Sequence, residues 1–177
     1  MKALHSIFAT SIKNTGTNPY GIAFPAIQSD SVGQFINVYC PEEVDAILTN
    51  QRILSLLAGK KLSCAGIKSL AEIKPTYYRA FIRDRKRERG APVQAMKRMM
   101  SSNKENKEQL AKTLIGRYFQ STLPQINLSS QSSQRAFTLN IAVQDNDVQP
   151  EQQKLSFNAY GLSSYKNPMY LPVESIE

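Results

Sequence analysis

The stretch GIAFPAIQSDSVGQFINVYC, residues 21–40, sets the architecture. GIAFP is a short apolar run stopped by Pro25, which has no N–H to give to a ladder. QFINVYC alternates apolar and polar residues, the period of two that puts one face of a strand inside. The flanks follow a different period. In KALHSIFATSIK, residues 2–13, Leu4, Ile7, Phe8 and Ile12 recur at helical spacing, and His5 falls at the edge of that apolar stripe. NTGTNPYG, residues 14–21, is a loop full of breakers. Beyond the second strand, CPEEVDAILTNQRILSLL reads as a helix, with Pro41 at a first-turn position and Glu42 and Glu43 at the positive end of its dipole. KLSCAGI and then YYRAFIR are strand-like.

Helix, strand, strand, helix, strand is most of a β-α-β-β-α-β ferredoxin-like unit. Its opening strand is missing, since Met1 falls inside the first helix. The fold class expected is α+β. A ferredoxin-like (RRM-like) domain lacking its first strand occupies residues 1–80. Residues 81–177 form a second region with a basic helix, a second helix and a C-terminal β-hairpin. In that region PVQAMKRMM starts a helix at Pro92, with Val93, Met96 and Met100 on one face and Lys97 and Arg98 on the other. NKENKEQLAKTLIGRYF is a second amphipathic helix, with Leu110, Leu114 and Tyr118 pointing in. After a Ser/Gln-rich connector, Phe137, Leu139, Ile141 and Val143 alternate on a strand. DNDVQPEQQ then serves as a hairpin loop and KLSFNAY as the returning strand.

A chain of 177 residues suits one large domain or two small ones sharing a core. The net charge of +8 calls for an anionic partner, nucleic acid first and an anionic membrane surface second. Cys40 and Cys64 make no zinc-ligand set with the lone His5 and read as reduced, cytosolic thiols. No stretch is long and apolar enough to span a bilayer, and MKALHSIFAT lacks the apolar region and cleavage site of a signal peptide. A cytoplasmic protein is expected.

Residues 79–98 hold eight cationic side chains against Asp84 and Glu88, a net +6 of the chain's +8. Arg79, Arg83, Arg85, Lys86, Arg87, Arg89, Lys97 and Arg98 form a solvated face or a polyanion site. A block of one sign repels itself unless a polyanion is bound, which favours nucleic acid. His5 is the one side chain of a type whose unperturbed pKa, about 6.5, suits proton transfer near neutrality. The alternative is a surface-helix histidine without a role. Ser129, Ser130, Ser132 and Ser133 are either a flexible connector or hydroxyls that bond ribose and phosphate, with Phe137 a candidate to stack on a base. YGLS, residues 160–163, is either a strand end turned by Gly161 or a tyrosine offered to a site. The chain has no G-x-S-x-G elbow and no phosphate-binding glycine loop.

ALH on the first helix, GIAFP, YRAFIRDR leading into the basic segment, SSQSSQRAFTLNI and FNAYGLS occur in one order over nearly the whole chain. In order and spacing they resemble the CRISPR repeat-processing endoribonuclease of type I-F systems. The resemblance implies a ferredoxin-like domain with an arginine-rich helix beside it. It implies binding of the CRISPR RNA repeat hairpin and cleavage at its 3′ base by the neighbouring 2′-hydroxyl, with no metal and no cofactor. It further implies retention of the product within Cascade, where the enzyme meets other subunits including the backbone protein at the crRNA 3′ end. Carried over position by position, His5 is the base for the 2′-hydroxyl, Ser130 of the SQS motif holds the ribose, and Tyr160 positions the histidine. Phe137 stacks beside the cut, Arg83 and Arg85 read base edges, and Lys97 and Arg98 fall on the basic helix. Lys86, Arg87, Arg89, Ser132 and Arg135 are further RNA contacts. The other readings are a non-catalytic hairpin-binding subunit of such a complex and an unrelated basic RNA-binding module.

Overall fold

The computed structural model describes residues 1–40, 44–85, 97, 101, 112, 123–129, 136–148 and 155–174. Within them the chain is α+β, with helices and antiparallel strands. It divides into two compact units. One comprises Met1–Ala26, Gln34–Ile82 and Val143–Glu177, the other Ile27–Gly33 and Arg83–Ala142.

The first unit opens with α1, Lys2–Thr15, which buries Ala3, Leu4 and Phe8 along the stripe read from the sequence. Gly16 ends it in the left-handed conformation, φ 78°, its N–H returning to Ile12 O. β1, Gly21–Ala23, and β2, Asn37–Tyr39, pair antiparallel with Ile22 opposite Val38. The single helix expected over residues 40–57 is two: α2, Asp45–Leu48, and α3, Gln51–Ala58. Asn50 makes the break. Its side chain accepts from the N–H groups of Arg52 and Ile53, capping α3 so that the chain starts a new helix there.

KLSCAGI, expected as a strand, has no strand pairing: residues 62–69 are exposed and irregular. Its apolar side chains Leu62 and Ile67 find no core, and alternation without a sheet neighbour does not hold a strand. A short 3₁₀ turn, Leu70–Glu72, follows, closed by a Ser69–Glu72 capping box whose hydrogen bonds hold the Glu72 carboxyl below its ordinary range. Glu174 fastens this segment by its contacts to Lys68 Nζ (2.8 Å) and the Lys74 N–H (3.2 Å).

β3, Tyr77–Arg83, pairs antiparallel with β6, Tyr170–Val173. Pro172 is tolerated in β6 because, among the described strands, β6 pairs with β3 alone and lies at the sheet edge. Its carbonyl receives the Tyr39 hydroxyl, whose burial pushes the phenol's pKa up. Phe8, Ile22, Phe24, Phe81, Ile82, Leu162 and Val173 are fully buried, and Phe24 meets Phe81 edge to face at 5.8 Å.

In the second unit β4, Gln125–Ser129, pairs antiparallel with the first half of β5, Ala136–Asn146, Leu128 facing Phe137. The hairpin is thus formed with the strand before residue 136. Of the segment expected to return beside it, residues 155–158 have no ladder partner and 159–162 make a turn. Ile126 and Leu128 supply the alternation that pairs β4 with β5, whereas Asn158 and Gly161 are turn residues. The alternation along β5 is also incomplete: residues 139–142 are all buried and Val143 is exposed. Lys97 has helical backbone, its carbonyl accepting from Ser101 N at 3.1 Å, and Lys112 is helical. The rest of both expected helices lies outside the described residues.

Candidate active site

The core fixes His5 before the site does. Leu4 and Phe8 are buried, so α1 cannot rotate, and His5 one position on from Leu4 is left half-buried at the edge of the apolar stripe. Its Nδ1 lies 2.6 Å from the carbonyl oxygen of Ala159. A carbonyl oxygen only accepts, so Nδ1 carries the hydrogen and the neutral ring keeps its lone pair on Nε2. The imidazole also lies flat on the Tyr160 ring, centroids 4.3 Å apart and planes 6° from parallel. A directional bond in the ring plane and a contact on its face together define the ring's tilt and its flip. The result is an oriented nitrogen base with its tautomer chosen.

The turn that grips His5 follows from four consecutive residues and the asparagine before them. Asn158 accepts at its side-chain oxygen from the N–H groups of Tyr160 (2.8 Å) and Leu162 (3.4 Å), an Asx turn. The Asn158 carbonyl accepts from Gly161 N at 2.9 Å, and its own N–H goes to Leu162 O. Gly161 sits at φ 72°, and a Cβ there would lie 2.8 Å from Ile22 Cγ1 and 2.9 Å from Phe8 Cε2. Gly161 O accepts from Ile22 N at 2.9 Å, which ties the turn to β1. Leu162 enters the core, and Ser163 bonds the backbone of Phe81 and Met169. YGLS is therefore one device: a ring for the histidine, a close approach to α1 and β1, a core anchor and a clamp.

Of the predicted site residues, the structure brings His5 and Tyr160 together in the first unit. Arg83, Arg85, Lys97 and Phe137 belong to the second. Arg83 is half-buried at the end of β3, Arg85 and Lys97 are exposed, and Phe137 is half-buried on β5. Ser130, Ser132, Arg135, Lys86, Arg87, Arg89 and Arg98 lie outside the described residues. Arg79, counted with the basic segment, is committed to another task. Its Nη2 donates to Asp145 Oδ2 at 2.7 Å, its Nε donates to Oδ1, and its guanidinium lies 4.7 Å from the Tyr77 ring centre. The hydrogen bonds from Arg79 hold the Asp145 carboxyl below its ordinary range and raise the guanidinium. Sequence reading missed Asn158, whose place directly before Ala-Tyr-Gly was the available signal.

The YGLS turn and Ala159 O thus orient the imidazole within the first unit. The family described as CRISPR-associated protein (Cas_Csy4) matches residues 1–169. The chain belongs to this family. Its members are the type I-F repeat-processing endoribonucleases of CRISPR antiviral defence, as the order of motifs implied. No curated protein matches the chain. Membership assigns CRISPR RNA processing, binding of the repeat and an RNA-cleaving role, and removes the reading as an unrelated basic RNA-binding module. No helix among the described residues is long and apolar enough to cross a membrane.

Proposed function

We propose that the chain binds the repeat hairpin of the CRISPR transcript and cuts at its 3′ base by attack of the adjoining 2′-hydroxyl, with His5 as the base. The observation that supports this most is the bond from His5 Nδ1 to Ala159 O, which leaves Nε2 as the proton acceptor while Tyr160 holds the ring. The 2′-hydroxyl gives its proton to Nε2 as its oxygen bonds to phosphorus. The bond from phosphorus to the 5′-oxygen breaks, and that oxygen takes up a proton. The products are a 2′,3′-cyclic phosphate and a 5′-hydroxyl. RNA brings its own nucleophile, so the protein supplies alignment and one base, and the reaction as proposed needs no metal.

In this reading Ser130 and Ser132 bond the ribose, Phe137 stacks on the base beside the cut, and Arg83 and Arg85 read the lower stem. Lys97, Arg98 and the cations at 86, 87, 89 and 135 contact phosphates. The processed RNA stays bound, and the protein acts in the cytoplasm as the hairpin-holding subunit of a type I-F Cascade, beside the backbone protein at the crRNA 3′ end. The order α1, β1, β2, then the α2–α3 pair and β3 supports the ferredoxin-like reading of the region they span. A repeat hairpin carrying one 2′-deoxy nucleotide at the cut tests the mechanism. It is expected to bind as the all-RNA hairpin does and to remain whole; continued cutting refutes 2′-hydroxyl attack.

A further inference from the structure

We propose that Asn18 is a positioning residue for His5, acting through the turn that carries Ala159. Asn18 lies in the loop between α1 and β1, where asparagine is normally solvated, yet it is fully buried. Its side-chain nitrogen donates to Asn158 O at 2.8 Å and to Tyr20 O at 3.1 Å. Its side-chain oxygen accepts from Tyr20 N at 3.1 Å, and its backbone carbonyl from Phe157 N at 2.8 Å. One buried residue thus ties the loop after α1 to the two residues preceding Ala159. The Asn158 carbonyl that receives Asn18 also receives Gly161 N, so Asn18 and the left-handed glycine hold the same peptide from two sides.

The next carbonyl along is that of Ala159, the acceptor for His5 Nδ1. At 2.6 Å that bond is short, and a displacement of the 158–159 peptides by more than about half an ångström carries it out of hydrogen-bond range. Losing it removes the preference for hydrogen on Nδ1, and with it the lone pair on Nε2. Asn18 is uncharged and buried, so it contributes nothing to RNA binding directly. Its contribution lies in the fraction of protein whose imidazole carries the correct tautomer and aim.

This inference rests on His5 being the base, and the test separates the two. His5 is the single histidine, so ¹⁵N-histidine labelling gives one pair of ring nitrogen resonances, which report the tautomer directly. Wild type is expected as the Nδ1–H tautomer. Asn18→Ala is expected to lose that preference and to slow single-turnover hairpin cleavage about tenfold or more. Its hairpin Kd should stay within about twofold of wild type, and temperatures well below the melting midpoint remove any effect of unfolding. Asn18→Ser keeps a small donor and is expected to restore part of both signals. It is also the variant to read where Asn18→Ala does not fold. Wild-type tautomer and rate in a folded Asn18 variant overturn the proposal. A changed tautomer with unchanged cleavage, together with full activity of His5→Ala, sinks the base assignment instead and leaves Asn18's hold on the ring standing.

Discussion

Replacing Gly161 with alanine loads two costs onto one position. The backbone is at φ 72°, a conformation that costs an L-residue about 1–2 kcal/mol. The added methyl would also stand 2.8 Å from Ile22 Cγ1 and 2.9 Å from Phe8 Cε2, both in side chains with no exposed surface. Neither neighbour can swing into solvent, so relief requires the turn to move away from α1 and β1. Overpacking of this kind costs about 1–3 kcal/mol. The two together give about 2–5 kcal/mol. At about 2–4 °C per kcal/mol for a chain of this size, the melting midpoint is expected to fall by about 4–20 °C. Moving the turn also displaces Ala159 O and the Tyr160 ring, so the folded variant should cleave about a hundredfold more slowly, the usual penalty for an error near 1 Å in a reacting group. Thermal unfolding followed by circular dichroism and single-turnover cleavage at 20 °C read the two effects. A Gly161→Ala protein melting within 1 °C of wild type and cutting at the wild-type rate would refute the close-approach reasoning.

Other perturbations test the fold at separate places. Asn50→Ala removes the cap between α2 and α3 and is expected to cost about 1 kcal/mol, seen as a midpoint lower by about 2–4 °C with hairpin cleavage intact. Arg79 depresses the Asp145 pKa, so the pair's contribution is fully present above the ordinary aspartate value of about 4 and is lost as pH falls through the lower folded value. Asp145 is half exposed, which limits that contribution to about 0.5–1 kcal/mol. Asp145→Asn is therefore expected to melt about 1–4 °C lower at pH 7, with the difference closing as the pH falls through the lowered folded value.

Periodicity made the first unit legible. Leu4 and Phe8 in α1, the run before Pro25, and Tyr77–Arg83 in β3 are elements whose local pattern and buried face agree. It failed where a strand needs a partner that pattern cannot name. KLSCAGI alternates as well as QFINVYC does but has no neighbour to pair with, and QINLS, passed over inside a Ser/Gln-rich segment, pairs with β5. The break at Asn50 was readable as a cap signal, since asparagine before Gln-Arg-Ile is a favoured helix start. The site was legible in its residue types and not in its geometry. His5 and Tyr160 are 155 positions apart, and only the family resemblance joined them, because nothing local to either residue records the other. Asn18 left no trace at all: a buried carboxamide in a polar loop looks like any other loop asparagine until its partners are seen.

The most direct test of the central claim is single-turnover cleavage of the repeat hairpin by His5→Ala, measured beside its hairpin Kd. The imidazole oriented by Ala159 and Tyr160 is expected to account for about a hundred- to ten-thousandfold of the rate, with the Kd within a few fold of wild type. Cleavage by His5→Ala within about threefold of wild type would contradict the account.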